Sequence, residues 1–337
     1  MCHSLPNQRT MNLLDQDNYQ EDYYEEIGRH YNRGRSRQAH RQSKQKAGHD
    51  AKQSRQEILA AITAENDQAI DFNPTYLQNF RPEQREYRWI QENLAGFYHD
   101  KIIADVMAVV KAGKEANVYR CVGSEALGHE LIAAKIYRPR MFRHLRNDAI
   151  YKQGRLVRDQ TGKEVRGSRL GRALKKKTRF GQDVDFATWI VHEFNMQNML
   201  YNAGADVPKP IAHRGNTILM AFVGDAEGAA NTLIDVGLDP AEAPALFGRI
   251  LGNIELMLAH HYVHGDLSAY NILYWEGEIC VIDFPQMADA RVNPHAFTLL
   301  ERDVLRVCDY FAPYGVEADP VEIAADLWQR WRDGDLE

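Results

Sequence analysis

Apolar positions are spread unevenly along the chain, and their spacing divides it. Residues 1 to about 72 are polar and poor in large apolar groups. Such a stretch cannot bury enough surface to offset its chain entropy, so it is expected to be a disordered tail. Within it, Gln53 to Ala69 has the spacing of a short helix, with Ile58, Leu59 and Ile62 on one side. From Thr75 to Tyr98 apolar and aromatic residues recur at helical intervals (Tyr76, Phe80, Tyr87, Ile90, Leu94, Phe97), which predicts a helical extension over 73–100 packed on the following domain. Ile102–Val110 is a β-rich run. It breaks at Lys111–Asn117, resumes at Val118–Val122, and is followed by a third strand at Leu131–Tyr137. Asp185 to Ala203 carries an amphipathic helix pattern through Trp189, Ile190, Phe194 and Met199. Val207–Ile211 and Thr217–Val223 read as two further strands, punctuated by Gly224. Leu246–His261 reads as a helix. Ile272–Trp275 and Glu278–Ile282 flank Glu276-Gly277 as a hairpin, and Phe297–Trp331 holds two helical patterns. The expected class is α+β, with a small antiparallel sheet and one helix in residues 101–223 and a mainly helical second half in residues 224–337.

Charge changes this picture. The net charge is −6, yet Arg138 to Arg179 holds fifteen Lys or Arg against three Asp or Glu. That local balance of +12 leaves −18 for the rest, so a cationic island sits on an acidic chain. A basic insertion over 138–182 is expected, with RNA or a ribosomal particle as a candidate partner through 138–179 and, more weakly, through the Arg29–Arg41 tract. The plainer alternative is a solvated loop. Cys2, Cys121, Cys280 and Cys308 are far apart and form no C-x-x-C pair, which argues against zinc and redox motifs and for free thiols in a reducing compartment. Met1–Pro6 lacks a secretory pattern, and no apolar run approaches bilayer length. A cytoplasmic protein with no membrane partner is expected.

The candidate chemistry lies at His264-Gly265-Asp266-Leu267-Ser268-Ala269-Tyr270-Asn271 and Val281-Ile282-Asp283-Phe284. Phosphoryl transfer needs a carboxylate to orient and deprotonate an acceptor hydroxyl, and hard oxygen ligands for Mg²⁺. Asp266 suits the first task. Asn271 and Asp283 suit the second, because the intervening hairpin folds them side by side. A single loop Asp is usually a turn former; the ordered set with a hairpin between is what points to a phosphotransferase. Upstream, the turn Gly113-Lys114-Glu115-Ala116-Asn117-Val118 joins two strands and can cover phosphates with backbone N–H groups. Lys135, in an otherwise apolar strand, can meet the α- and β-phosphates, and the helix residue Glu193 is its candidate partner. His260, His261 and His264 complete no zinc pattern. Gly162–Arg169 lacks the Gly-Lys-Ser/Thr end of a Walker A loop.

These residues together resemble the RIO family of atypical serine/threonine protein kinases, over about residues 100–335. Gly113–Tyr119 is similar to that family's phosphate-covering loop, and His264–Asn271, with Ser268 between Asp and Asn, to its catalytic loop. Val207-Pro208-Lys209-Pro210 after the Glu193 helix also matches. The resemblance implies a two-lobed protein-kinase-like fold without the usual activation segment. It implies ATP as donor and Mg²⁺ as cofactor, with Mn²⁺ able to substitute. Gly113 to Val118, Lys135, Glu193 and Ser268 would serve the nucleotide, Ala221 and Val223 would offer hinge groups to adenine, and Met220 would stand near the gatekeeper position. Asp266 would be the proton acceptor, and Asp283 would both bind metal and accept phosphate as an aspartyl-phosphate.

The leading expectation is a RIO-type kinase acting on protein Ser/Thr, itself included, or an ATPase working through that intermediate. The protein substrate is not legible. Two alternatives stand beside it: a small-molecule kinase resembling aminoglycoside or choline phosphotransferases, and a non-enzymatic ATP-responsive scaffold that binds RNA.

Overall fold

In the computed structural model, the described residues are 72–81, 84–113, 115–124, 131–138 and 179–336, with 179–188 described by backbone alone. Of the tail expected over residues 1–72, all but Phe72 lie outside them, as do Lys114 and most of the basic insertion; Phe72 is buried in the core beside Leu94 and Phe97, where its apolar ring packs.

Five antiparallel strands form the first half: β1 (Ile103–Ala112), β2 (Ala116–Gly123), β3 (Leu131–Tyr137), β4 (Pro210–Arg214) and β5 (Thr217–Ala221), in the order β1-β2-β3-β5-β4. Alternation along β3 explains how both faces are covered. Ile132, Ala134 and Ile136 join a core with Tyr119, Cys121 and Leu219, roofed by Ile90, Leu94 and Phe97 of helix α1 (Arg85–His99). Tyr137, from the opposite face, packs with Ile218 and with Trp189, Ile190 and Phe194 of helix α2 (Arg179–Asn202). Lys135 and Ala133 share that second face.

Strand β3 has the bounds its apolar run predicts. Strand β4 does not, because it starts at Pro210 rather than Val207. Pro208 and Pro210 lack the N–H that a ladder needs, and β4 is tolerated as an edge strand. Helix α2 begins at Arg179, ahead of the apolar pattern that starts at Asp185. Thr75–Tyr98 is a short 3₁₀ turn (Thr75–Asn79) followed by α1 rather than one helix. Edge strand β1 carries three register shifts against β2, which bend it.

The second half is helical. Helices α3 (Ala243–Ala259), α4 (Ala296–Phe311) and α5 (Pro320–Asp333) surround one core. Ile250 and Met257 of α3 meet Leu300, Val304 and Phe311 of α4 and Leu327 of α5 there, together with Val263, Ile272, Val281 and Phe284. Helix α5 starts as its sequence requires: Asp319 accepts from the N–H of Val321 and Glu322, with Pro320 in the first turn. Strands β8 (Ile272–Trp275) and β9 (Glu278–Val281) form the predicted hairpin, flanked by β6 (Asn231–Thr232); β7 (Tyr262–Val263) pairs with β10 (Ala288–Asp289). Helix α3 stops at Ala259, and His261 turns at φ 69° into β7. No helix among the described residues is long and apolar enough to cross a membrane.

Helix α1 is part of the fold rather than an attachment. Leu94 is fully buried beneath the sheet, so Leu94→Ala should destabilise the protein by roughly 2–5 kcal/mol. Urea unfolding should show this as a lower midpoint at unchanged slope. A midpoint equal to the parent's would mean that the sheet stands without α1.

Candidate active site

The site begins with strand alternation. Residues directly opposite one another in an antiparallel pair share a face. Val118, Lys135 and Ile218 therefore form one row across β2, β3 and β5, and Arg120, Ala133 and Met220 form the next. Both rows face away from α1. Lys135 Nζ donates to Glu193 Oε1 at 3.0 Å and to Asp283 Oδ1 at 2.7 Å. It also lies 4.9 Å from the Tyr137 ring centroid. The Tyr137 hydroxyl donates to the other Glu193 oxygen. Glu193 is 1% exposed. Burial raises its pKa despite the pull of Lys135. For Asp283 burial pushes upward as well, but the charge and hydrogen bond of Lys135 prevail, and its pKa is lowered. Lys135 loses solvation too, yet the two carboxylates hold it firmly protonated.

The turn between β1 and β2 approaches this cluster through Glu115, which feels the charges of Asp283 and Lys135. Gly113 N–H donates to the Ala116 carbonyl at 2.9 Å, and a Cβ on Gly113 would press on that same oxygen, so the turn admits no larger residue unchanged. The Glu115 carbonyl accepts from Arg138 N–H at 2.9 Å. Desolvation and the facing Asp283 charge raise the pKa of the Glu115 carboxyl. Asn117 points to the α1 side, where it accepts from Arg138 (2.7 Å) and donates to the Tyr119 hydroxyl (3.0 Å), which in turn donates to Glu86 of α1.

The catalytic loop is fastened from below. Asp303 of α4 is 1% exposed. Its two oxygens accept from Gly265 N–H at 2.7 Å and Leu267 N–H at 3.0 Å. Arg302 donates to the Gly265 carbonyl. Asp266 N–H donates to His264 Nδ1 at 3.3 Å, and Asn271 Nδ2 donates to the Asp266 carbonyl at 2.8 Å. Asn271 thus spends its N–H side on the loop and keeps its amide oxygen for another partner. Ile282 N–H meets the Asn271 carbonyl at 2.9 Å, which brings Asn271 and Asp283 to adjacent ends of the hairpin. Asp283 is held at φ 74°, a left-handed conformation rare outside glycine.

The RIO domain model matches residues 117–323. The chain belongs to the RIO domain family. Within this RIO chain, 147 residues are 32% identical to the RIO-type serine/threonine-protein kinase Rio1 of Thermoplasma acidophilum, covering 44% of this chain and 76% of that one. The Haloferax volcanii Rio1 is 31% identical over 215 residues, 62% of this chain and 64% of its own. The human serine/threonine-protein kinase RIO1 is 30% identical over 216 residues, covering 64% of this chain but only 34% of its own. In structure, the Rio2 kinase-ADP/Mg²⁺-phosphoaspartate complex from Chaetomium thermophilum aligns with a TM-score of 0.50 at 23% identity, over 72% of this chain and 66% of that one. The fold is the two-lobed, kinase-like α+β fold.

The structure brings Lys135, Glu193 and Asp283 into contact and sets Asp266, Asn271 and Asp283 on one loop-and-hairpin unit. Met220 faces the same side as Ala133 and lies 3.6 Å from Gln197 Nε2 of α2. Ala221 N–H is taken by the Lys209 carbonyl and the Val223 carbonyl by Ala230 N–H. Ser268 N-caps the 3₁₀ turn Ala269–Asn271, and its carbonyl accepts from Asn271 N–H. The three histidines diverge: His260 turns to the Leu256 carbonyl, His261 accepts from Trp331, and His264 is buried. No group of three or more His, Cys, Asp or Glu among the described residues forms a metal cage. Sequence reasoning missed Arg302, Asp303 and Arg306. They lie in an ordinary amphipathic helix, and only the long-range packing of α4 reveals them.

Burial pushes the Asp303 carboxyl up to about 7, against the pull of the Gly265 and Leu267 N–H bonds and of Arg302. Its folded pKa lies above the unfolded value of about 3.9. The stability it contributes is therefore present below that unfolded value and lost as pH rises through about 7. The grip on two N–H groups has the opposite sign, since it needs the carboxylate. Unfolding free energy should fall from about pH 4 to about pH 7 in the parent, between the unfolded and the folded pKa, and fall less in Asp303→Asn. Amide exchange at Gly265 and Leu267, relative to intrinsic rates, should become better protected across the same step. Identical pH dependence in the two proteins would assign the step to another group.

Proposed function

We propose that this RIO chain is an ATP- and Mg²⁺-dependent phosphotransferase acting on Ser or Thr of proteins, itself included, or on water through an aspartyl-phosphate at Asp283. The observation that carries the reading is the Lys135 ammonium held between Glu193 and Asp283 at the meeting point of sheet and hairpin. A cation paired with a carboxylate, on the hairpin joined to the Asp266 loop, is what phosphoryl transfer needs, and this supports the reading.

The residues suit the nucleotide. Val118, Ala133 and Met220 give the cleft face of the sheet an apolar floor. The Ala221 N–H and the Val223 carbonyl are each engaged, so Ala221 would offer its carbonyl and Val223 its N–H. An acceptor and a donor so placed complement the amine and ring nitrogen of adenine. They suit the metal as well. Glu115, Glu193, Asp266 and Asp283 put four carboxylates around Lys135 and Arg306, with Lys111 a weaker positive influence on Asp283. A triphosphate entering that field calls for a divalent cation. Asn271 and Asp283 would hold it, leaving its other positions to phosphate and water, as Mg²⁺ prefers. Mn²⁺ has the same preference for oxygen. Bound there, the cation would neutralise charge on the phosphates.

Asp266 then takes the proton from an acceptor hydroxyl as that oxygen bonds to the γ-phosphorus, and the bond to the bridging oxygen breaks to release ADP. In the ATPase route an Asp283 oxygen attacks instead, and water later hydrolyses the acyl phosphate. The phosphoaspartate in the Chaetomium Rio2 complex supports this second route. A cytoplasmic setting is supported by the free thiols of Cys121, Cys280 and Cys308. RNA or a ribosomal particle is a further proposed partner, through the cationic stretch 138–179, of which only the two end residues are described, and the Arg29–Arg41 tract, which lies outside the described residues.

Radiolabelled ATP supplied to the purified protein, with and without lysate, tests the reading. Asp266→Asn should lose about 10²–10⁴-fold in turnover with nucleotide affinity kept. Asp283→Ala should lose the Mg²⁺-dependent tightening of ATP binding and any hydroxylamine-sensitive label. Label found only in small molecules would move the chain to the aminoglycoside-type alternative.

The RNA proposal has its own measurement. Engaging about six phosphates of a single strand gives a log K against log[salt] slope near −4. Neutralising Lys175, Lys176, Lys177, Arg169 and Arg172 should flatten that slope. Equal affinity and slope in both proteins would remove the segment from any binding surface.

A further inference from the structure

Helix α4 presents Arg302, Asp303 and Arg306 to the catalytic loop, three residues within one turn. Two of them grip backbone: Asp303 takes the N–H of Gly265 and Leu267, and Arg302 donates to the Gly265 carbonyl. Arg306 differs. Its Nη1 meets Oδ1 of the Asp266 side chain at 2.9 Å. The two side chains are 38% and 37% exposed, so the pair lies at the mouth of the cleft and not in the core. An exposed ion pair of this kind contributes little to stability. The Asp266 backbone is already fixed, its N–H on His264 and its carbonyl on Asn271. What remains free is the carboxylate itself, turning on two torsions in a solvated place.

We propose that Arg306 is a positioning residue for the proton acceptor: it holds Oδ1 of Asp266 and so leaves Oδ2 directed at the acceptor hydroxyl. The inference rests on the reading of the chain as a phosphotransferase. Its physical basis is that a general base must lie within hydrogen-bond reach of the proton it takes. A reacting group misplaced by about 1 Å can cost about 10²-fold in rate. An arginine suits the task because its planar fork fixes direction as well as charge, and because α4, from which it reaches, is tied to the same loop by Arg302 and Asp303.

The test is a double-mutant cycle with ATP–Mg²⁺ as the only substrate, following transfer of the γ-phosphoryl group to water or to the protein itself. Arg306→Ala should lower kcat about 10–100-fold, leave the KM for ATP and the melting temperature near the parent's, and recover in part with added guanidinium ion. Arg306→Lys should fall between, since it keeps the charge and loses the fork. In an Asp266→Asn background, Arg306→Ala should cost nothing further, because the group it positions is gone. Three results would overturn the inference while sparing the phosphotransferase reading. These are unchanged kcat in Arg306→Ala, a raised kcat (which would make the pair a brake), and a full additional loss in the Asp266→Asn background. Full turnover in Asp266→Asn alone would remove both this inference and the role assigned to Asp266.

Discussion

The contacts of the Lys135 ammonium reach both halves of the molecule. Glu193 is presented by α2 and Asp283 by the end of the β8–β9 hairpin, and both meet the same nitrogen. Taking ions out of water costs several kcal/mol each, and removing one partner of a buried pair is worse than never having had it. Glu193 is almost wholly buried, so its position presupposes both Lys135 on one oxygen and the Tyr137 hydroxyl on the other. The opposite shifts of the two carboxylates show how differently they are held. Burial dominates at Glu193, whereas Lys135 dominates at Asp283. Asp283 is therefore favoured in its ionised form beside Lys135, while Glu193 stays fastened to the sheet. One lysine thus has a deeply buried partner and a partly exposed one.

Strain and support converge on the same few residues. A non-glycine residue at positive φ costs on the order of 1 kcal/mol or more and persists only where its surroundings insist on it. Asp283 has such surroundings: its side chain is bonded to Lys135, and the preceding Ile282 N–H is bonded to Asn271. Phe284 follows directly and is buried against the His264 ring, with ring centroids 5.6 Å apart. The catalytic loop is held in the same way from the other side, where Asp303 satisfies two backbone donors that would otherwise lie buried without partners. The Asp266 loop is thus bonded to α4 through Asp303, Arg302 and Arg306, and Asn271 is bonded to Ile282 at the end of the hairpin.

Local pattern made much of this legible. The β3 strand, the Glu276-Gly277 hairpin and the Lys135–Glu193 contact could all be anticipated, because alternation, turn residues and the need of a buried charge for a counter-ion are local or pairwise rules. The rest was not readable, for physical reasons. Strands β6, β7 and β10 are two residues each, too short for any periodicity to register. The displacement of β4 was encoded in Pro208 and Pro210, and the apolar run Val207–Ile211 masked it. Asp303 and Arg306 belong to a helix whose hydrophobic stripe explains it without them. Their partners lie 36 to 40 residues away in sequence, where no local rule reaches.

The helical extension before the sheet bears on the chemistry through register. Side chains alternate along β3, so slipping the strand by one residue would turn Lys135 into the core beneath α1 and present Ile136 to the cleft. Both alternatives place apolar groups on both faces, and hydrophobicity along the strand alone does not choose between them. The choice comes from what lies above and below. Ile90, Leu94 and Phe97 of α1 offer an apolar ceiling that accepts Ile132, Ala134 and Ile136, and the Glu86 carboxylate on that side is taken by the Tyr119 hydroxyl. On the other face Tyr137 packs against Trp189, Ile190 and Phe194, while Glu193 and Asp283 supply the two carboxylates that an ammonium at position 135 needs. Tyr119 adds a polar check, because its hydroxyl must reach Glu86 and Asn117 on the α1 side. The register of β2 and β3 is thus set jointly by the apolar side chains that α1 covers and by the carboxylate pair that receives Lys135 on the other face.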